Sequence, residues 1–79
     1  MYILIECCDR AIQLDDSCHT KEEAYASMEK ELASAMGLEN IPEDWDNTTF
    51  NRAEDFDVDK DSAWLNISGC EYDWKIAEC

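Results

Sequence analysis

The sequence predicts a small α+β domain, in which one long helix packs on a four-stranded antiparallel sheet in the order ββ-α-ββ. Three observations lead to this prediction: alternating apolar runs near both ends of the 79-residue chain, a helical apolar stripe between them, and an acidic connector after the helix. A chain of this length forms one domain, residues 1–79, and buries only about 60% of the surface that its unfolded form exposes.

The first apolar run begins directly after Met1. Residues 2–7, YILIEC, carry apolar or β-branched side chains at both odd and even positions. This is typical of a central strand that is buried on one face and partly covered on the other. Polar residues 9–10 predict a turn, residues 11–14 predict a short second strand, and residues 15–17 predict a loop.

A helix is predicted to begin after Thr20. The run TKEE fits a capping box, in which the Thr20 hydroxyl accepts from the third helical amide and Glu23 reaches back to the Thr20 amide. Gly37 ends the helix as a left-handed cap. The apolar residues at helical spacing predict one stripe that packs on the sheet; they are Ala24, Tyr25, Met28, Leu32, Ala35 and Met36.

The stretch 39–61 is the most acidic part of the chain. It holds nine carboxylates against two bases, a local charge of −7 that is half of the chain's −14. Three aromatic residues, Trp45, Phe50 and Phe56, lie among the acids, and a solvated tail has little use for such side chains. We therefore expect an acid-coated connector that is docked on the domain through these aromatics.

A second hairpin is predicted over residues 62–77. Residues 62–67 and 72–77 alternate between apolar and polar side chains, and Ser68-Gly69 supplies the turn. Trp64 falls on the face opposite to the apolar residues of its strand, where an exposed tryptophan beside acids is a candidate contact residue. Because small domains seldom expose large apolar patches, the favoured alternative is that the connector aromatics cover it.

The charge excludes one class of function. Twenty acids against six bases do not allow ordinary binding to nucleic acid, which needs Lys and Arg to release the counterions condensed on phosphates. The acidity indicates a basic partner, or it serves solubility alone.

The cysteines and the start of the chain predict a cytoplasmic protein. The five cysteines are an odd number without a C-x-x-C spacing, so we expect reduced thiols in place of a disulfide framework. The opening MYILIECC is too short to span a membrane, and it lacks a basic flank and a small-residue cleavage site.

One acidic run partly matches a calcium loop. Asp57, Asp59 and Asp61 occupy the first alternating ligand positions of such a loop. The match then fails, because Ser62 stands where glycine makes the sharp turn and Ser68 stands where a bidentate glutamate closes the site.

A thiol site is the other candidate for chemistry. Cys7, Cys8, Cys18 and His19 offer zinc-binding atoms, but Cys7 and Cys8 point to opposite faces of a strand. His19 is the single histidine, and its neighbour Cys18 is poorly placed to act as a nucleophile beside it. We therefore predict neither an enzyme nor a cofactor.

The candidate binding surface joins the connector to the helix, where Glu22 and Glu29, seven residues apart, are expected on one outward face. Duplex DNA carries a charge about every 1.7 Å of axis, whereas alternate residues of a strand are roughly 6.7 Å apart. Approximating a phosphate row therefore needs a compact surface. The predicted partner-binding residues are Glu22, Glu29, Glu43, Asp44, Asp46, Glu54, Asp55, Asp57, Asp59, Asp61 and Trp64.

Three stretches carry a resemblance to known proteins. The opening MYILIE, the helix TKEEAYASMEKEL and the ending SAWLNISGCEYDWKI resemble small uncharacterised proteins of phages and mobile elements of Gram-positive bacteria. In size and acidity the chain is similar to DNA-mimic inhibitors, including several anti-CRISPR proteins. This likeness implies a protein of the bacterial host cytoplasm that blocks a nucleic-acid groove or a conformational change of its target, without any chemistry of its own.

Together these observations predict a small acidic inhibitor or binding protein that blocks a basic surface of a host nucleic-acid-binding or nuclease complex. Two alternatives stay open. One is a metal- or thiol-based module that uses Asp57, Asp59 and Asp61 or the cysteines, and the other is an accessory domain whose acidity has no specific partner.

Overall fold

The computed structural model describes residues 1–8, 11–67 and 69–78, with the backbone alone for residue 11 and residues 13–16. The element order is ββαβββ, with a single 3-10 turn in the connector. The elements are β1 (Tyr2–Cys8), β2 (Ala11–Cys18), α1 (Lys21–Ala35), the 3-10 turn (Trp45–Asn47), β3 (Phe56–Val58), β4 (Ser62–Ile67) and β5 (Cys70–Glu78).

The α+β class is confirmed, but the sheet has five strands in the described chain and not the predicted four. The strand order is β2-β1-β5-β4-β3, and all neighbours are antiparallel. The additional strand is β3, which lies inside the acidic connector and pairs with β4. With three residues, β3 is too short to show a recognisable alternation in the sequence.

The first hairpin is longer than predicted. β2 continues through residues 15–17, which the sequence assigned to a loop, and a bulge interrupts its pairing between Leu4 and Ile5 of β1. β2 is an edge strand, a position in which polar and charged residues are common. The predicted turns at residues 9–10 and at Ser68 lie outside the described residues.

The helix has the predicted start and stop. The Thr20 hydroxyl accepts a hydrogen bond of 3.1 Å from the Glu23 amide. At the other end Gly37 has φ of +82°, and the Leu38 amide donates to the Ala33 carbonyl at 2.9 Å, which completes a Schellman motif.

The core lies between α1 and one face of the sheet, here called the inner face. The helix packs against β1, β2, β4 and β5. The predicted docking of the connector is confirmed for two of its aromatics, because Trp45 and Phe56 are buried with ring centroids 5.7 Å apart. Buried apolar residues form one cluster, whose largest fully buried members are Trp74, Phe56, Leu4, Met28, Leu32 and Leu65.

Candidate functional site

The connector acids divide into those that hold the connector in shape and those whose side chains make no bond to another described residue. Asp44 belongs to the first group. Its carboxylate caps the 3-10 turn by accepting from the Asp46 amide and from the Asn47 side chain, both at 3.0 Å. Such caps are common because a short carboxylate reaches the unpaired amides at the start of a helical turn.

Arg52 gathers acids from two parts of the connector. Its Nε lies 3.1 Å from Asp57 Oδ1, and its Nη1 lies 3.6 Å from Asp46 Oδ1. The hydrogen bond to Asp57 is the main reason that the pKa of Arg52 is raised above its ordinary value. Among the side chains that the structure describes, both ion pairs shorter than 4 Å belong to Arg52.

The same arginine protects the free edge of β3. The backbone groups of Asp55 and Asp59 form hydrogen bonds with the backbone of β4. The backbone groups of Phe56 and Val58 therefore point away from the sheet. The Phe56 carbonyl accepts from the Ala53 amide at 2.6 Å, and the Val58 carbonyl accepts from Arg52 Nη2 at 3.3 Å. A capped edge is a poor template for strand addition, so the groups that this part of the connector offers to solvent are mainly side chains.

Three further acids bond to backbone amides. Asp55 accepts from the Asn51 amide at 2.9 Å, Asp57 from its neighbour Val58 at 2.8 Å, and Asp59 from its neighbour Lys60 at 2.8 Å. The bonds of Asp55 and Asp59 stabilise the turns before and after β3, and that of Asp57 lies within the strand. The carboxylates of these residues therefore stabilise the local backbone and also contribute negative charge to the surface.

The seven-residue spacing predicted that Glu22 and Glu29 are both exposed on one side of α1, but Glu29 is less exposed than Glu22. Glu29 is half-buried, and its Oε2 accepts a hydrogen bond of 3.1 Å from the indole of the buried Trp45. The connector covers this part of α1, so Glu29 holds the connector and contributes less to the exposed surface than predicted.

Tyr25 lies on the same side of the helix. Burial, with a smaller contribution from the charge of Glu29, raises the pKa of Tyr25 above its ordinary value of 10.0.

Four of the predicted acids make no side-chain hydrogen bond or ion pair with another described residue: Glu22, Glu43, Glu54 and Asp61. The first three are exposed and Asp61 is half-buried. Glu54 and Asp46 line a common hollow beside Arg52. Glu22 lies across an open groove of about 620 Å³ from the β3–β4 turn; the groove is lined by Lys21, Glu22, Tyr25, Val58, Asp59 and Lys60.

The acidic surface is thus interrupted by bases. Lys21 and Lys60 lie in the groove with Glu22 and Asp59, and Arg52 lies among the acids of the second hollow. The structure brings Glu22 close to the connector, as predicted, but a continuous row of unpaired carboxylates does not form there.

Trp64 is not covered by the connector aromatics. Phe56 pairs with Leu65 and shares its buried face, whereas Trp64 pairs with Asp57 and points to the opposite face. The favoured expectation from the sequence was therefore wrong, and Trp64 is half-exposed. Its cross-strand neighbours are Asp57 on one side and Asp73 on the other.

The metal and thiol alternatives find no support in the geometry. In the part of the chain that the structure describes, no three His, Cys, Asp or Glu side chains are grouped to hold a metal ion. Cys18 pairs with Tyr2 at one end of β1, while Cys7 and Cys8 lie at the other end, roughly 17 Å away at the rise of a strand. The described cysteines are free thiols, and Cys79 lies outside the described residues.

The sequence patterns did not predict the roles of two residues of this surface. Arg52 was counted only as one of two bases in the connector, because its contacts depend on how the chain folds back. Asp73 was assigned to a strand without a role, although the register places it beside Trp64. The alternation of residues 62–67 and 72–77 contained this information once the pairing was known.

Neither a family model nor a curated protein nor a solved structure gives a significant match to the chain. No helix among the described residues has the length and apolar character to cross a membrane.

Proposed function

We propose that the protein binds a basic surface of a nucleic-acid-handling protein and blocks it, in the manner of DNA-mimic inhibitors such as anti-CRISPR proteins. The observation that carries this proposal is that the acidic connector has a fixed, ordered conformation. Its charge of −7 is held on a segment docked through the buried Trp45 and Phe56, and not on a solvated tail.

An ordered conformation favours binding, because binding must offset the conformational entropy lost by every group that it fixes. A disordered acidic tail loses conformational freedom when it meets a basic groove, whereas a segment already fixed by its own contacts loses little. Asp44, Asp55 and Asp57 fix the connector through hydrogen bonds to its backbone and to Asn47 and Arg52. The exposed Glu43 and Glu54 are thereby held on a preformed surface.

The net charge favours encounter with a basic partner. Complementary potentials raise association rates, and salt screens them beyond a Debye length of about 8 Å at physiological ionic strength. The bases Lys21, Arg52 and Lys60 interrupt the acids, so the surface offers groups of carboxylates to separate cations of a partner groove. Inhibition of this kind needs no chemistry, because the partner's nucleic acid is excluded by occupation of its site.

The experiment compares two triple variants in which glutamate becomes glutamine. Glu22→Gln, Glu43→Gln and Glu54→Gln remove three exposed carboxylates that make no described hydrogen bond or ion pair. The control changes Glu23, Glu31 and Glu78 to glutamine, which removes the same charge outside the proposed surface. Both keep the size of each side chain.

Immobilised parent protein and both variants are incubated with a lysate of a Gram-positive bacterium at two salt concentrations, and retained proteins are identified by mass spectrometry. We expect the parent and the control to retain a nucleic-acid-binding protein that is released by high salt and by duplex DNA or RNA. The connector variant should retain less of it. Retention that is equal for all three proteins at low salt, or partners without nucleic-acid-binding activity, would contradict the proposal.

A further inference from the structure

The sheet face opposite α1, here called the outer face, is uncovered in the described chain. Every buried residue of β1, β3, β4 and β5 belongs to the inner face; these residues are Leu4, Phe56, Val58, Ala63, Leu65, Trp74 and Ile76. None of the outward side chains that the structure describes is buried. An antiparallel sheet with one wet face normally carries polar residues there.

Half of the outer face departs from that rule. The outward residues Ile3, Ile5 and Cys7 of β1 are all apolar, and each is only half-buried. Ile12 of the neighbouring β2 is 76% exposed. A contiguous apolar patch of this kind is typical of a surface that another molecule covers.

The register joins this patch to Trp64 in one row across all five strands. Ile12 pairs with Cys7, Cys7 with Asp73, Asp73 with Trp64, and Trp64 with Asp57. Neighbouring strands are about 4.8 Å apart, so Trp64 lies roughly 10 Å from the β1 part of the patch. The row is apolar on one side and carries an aromatic ring between two carboxylates on the other.

The acidic half has the chemistry of a cation site. Asp57 is already bound by Arg52, whereas Asp73 is exposed and makes no side-chain hydrogen bond or ion pair with a described residue. A hollow of about 200 Å³ beside Trp64 is also lined by Asn66, Glu71 and Asp73. Lys75 lies in the next row, between Ile5 and Ser62, and limits the acidic half on that side.

We propose that the outer face docks a segment of a partner protein that presents an arginine beside apolar side chains. The guanidinium stacks on the indole of Trp64 and faces the carboxylate of Asp73, while the apolar side chains cover Ile3, Ile5 and Ile12. Arginine fits better than lysine because its planar group can stack on an aromatic ring and bond a carboxylate at the same time.

A second copy of the chain does not fit this face. Each subunit carries a charge of −14, so two copies repel one another, and a partner that supplies positive charge suits the acidic half better. The outer face shares Asp57 and Trp64 with the binding residues predicted from the sequence, but its apolar half and Asp73 lie on β1, β2 and β5, outside the connector. This docking surface therefore goes beyond the proposed function and can be tested apart from it.

The test uses a defined probe, the peptide acetyl-Leu-Ser-Leu-Ser-Arg-amide, whose two leucines and arginine share one side when it is extended. Binding to the full chain is followed by nuclear magnetic resonance. The indole signals of the buried Trp45 and Trp74 serve as internal references. We expect the peptide to shift the Trp64 indole and the methyl groups of Ile3, Ile5 and Ile12. Replacing its arginine by citrulline should weaken binding at least about threefold, and so should replacing its leucines by serine.

Two β5 variants separate the outer face from general electrostatics. Asp73→Asn removes a carboxylate from the outer face, and Glu78→Gln removes an exposed one at an inner-face position of the same strand. We expect the first to weaken peptide binding at least about threefold and the second to leave it unchanged. The inference is overturned if the two variants bind alike, or if the peptide shifts signals of the connector while the Trp64 indole stays in place.

Discussion

The indole N–H of Trp45 donates a hydrogen bond of 3.1 Å to the carboxylate of Glu29, and this bond ties the connector to the middle of α1. Trp45 is 8% exposed and packs against Phe56, the first residue of β3. One acid of the helix therefore helps to fix the segment that carries half of the chain's net charge. The predictions below begin with this bond.

Removal of the Glu29 acceptor should loosen the connector. Glu29→Ala leaves the buried indole N–H without its partner, which costs about 1 to 3 kcal/mol of unfolding free energy. Glu29→Gln keeps an acceptor oxygen and should cost less. Urea unfolding followed by tryptophan fluorescence measures both values; equal losses for the two variants would mean that the bond contributes little.

The helix stop at Gly37 should depend on its backbone conformation alone. Gly37 has φ of +82°, and a Cβ added there would meet no atom within 4 Å. Gly37→Ala should therefore lower the unfolding free energy by about 1 to 2 kcal/mol through the left-handed conformation, without a clash. Ser34→Ala, an exposed site in the same turn, is the control and should be neutral or slightly stabilising. A Gly37→Ala protein as stable as the parent would contradict this origin of the helix stop.

The raised pKa of Tyr25 should make the fold less stable in strong base. The phenol holds its proton more tightly in the folded than in the unfolded chain. The free energy of unfolding is therefore at its full value below pH 10, and it falls as the pH rises through the pKa of Tyr25 in the folded chain. Tyr25→Phe cannot ionise, so the stability difference between parent and variant should change only above pH 10. Urea unfolding of both proteins from pH 8 to pH 11 measures this difference, and a constant difference over that range would refute the prediction.

Self-repulsion should make stability depend on salt. With a net charge of −14, the parent should unfold at a higher urea concentration in 500 mM than in 50 mM sodium chloride, because salt screens the repulsion between exposed acids. The Glu22, Glu43 and Glu54 to glutamine variant should be as stable as the parent or more so at low salt, with a weaker salt effect. A loss of stability in this variant would show that these carboxylates have structural partners.

Local signals were sufficient for the helix and for the last hairpin. Thr20 and Glu23 define the helix start within four residues, and Gly37 needs only its own backbone conformation. The hairpin of β4 and β5 follows from two alternating runs with a turn between them. Each of these features depends on residues that are close in the sequence.

The connector could not be predicted in the same way, since its structure depends on distant contacts. β3 exists because Phe56 pairs with Leu65. A shift of this register by one residue would turn Phe56 to the face of Trp64. The role of Glu29 likewise depends on the position of Trp45, sixteen residues away.

The most direct test of the proposed function is a displacement measurement with a partner obtained by capture. A labelled nucleic-acid duplex is bound to that partner at low salt, and increasing amounts of protein are added. Three proteins are compared: the parent, the Glu22, Glu43 and Glu54 to glutamine variant, and Trp64→Leu. We predict that the parent displaces the duplex, that the glutamine variant requires a higher concentration, and that raised salt weakens all three. If the glutamine variant displaces the duplex as well as the parent while Trp64→Leu does not, the connector acids are not the binding surface.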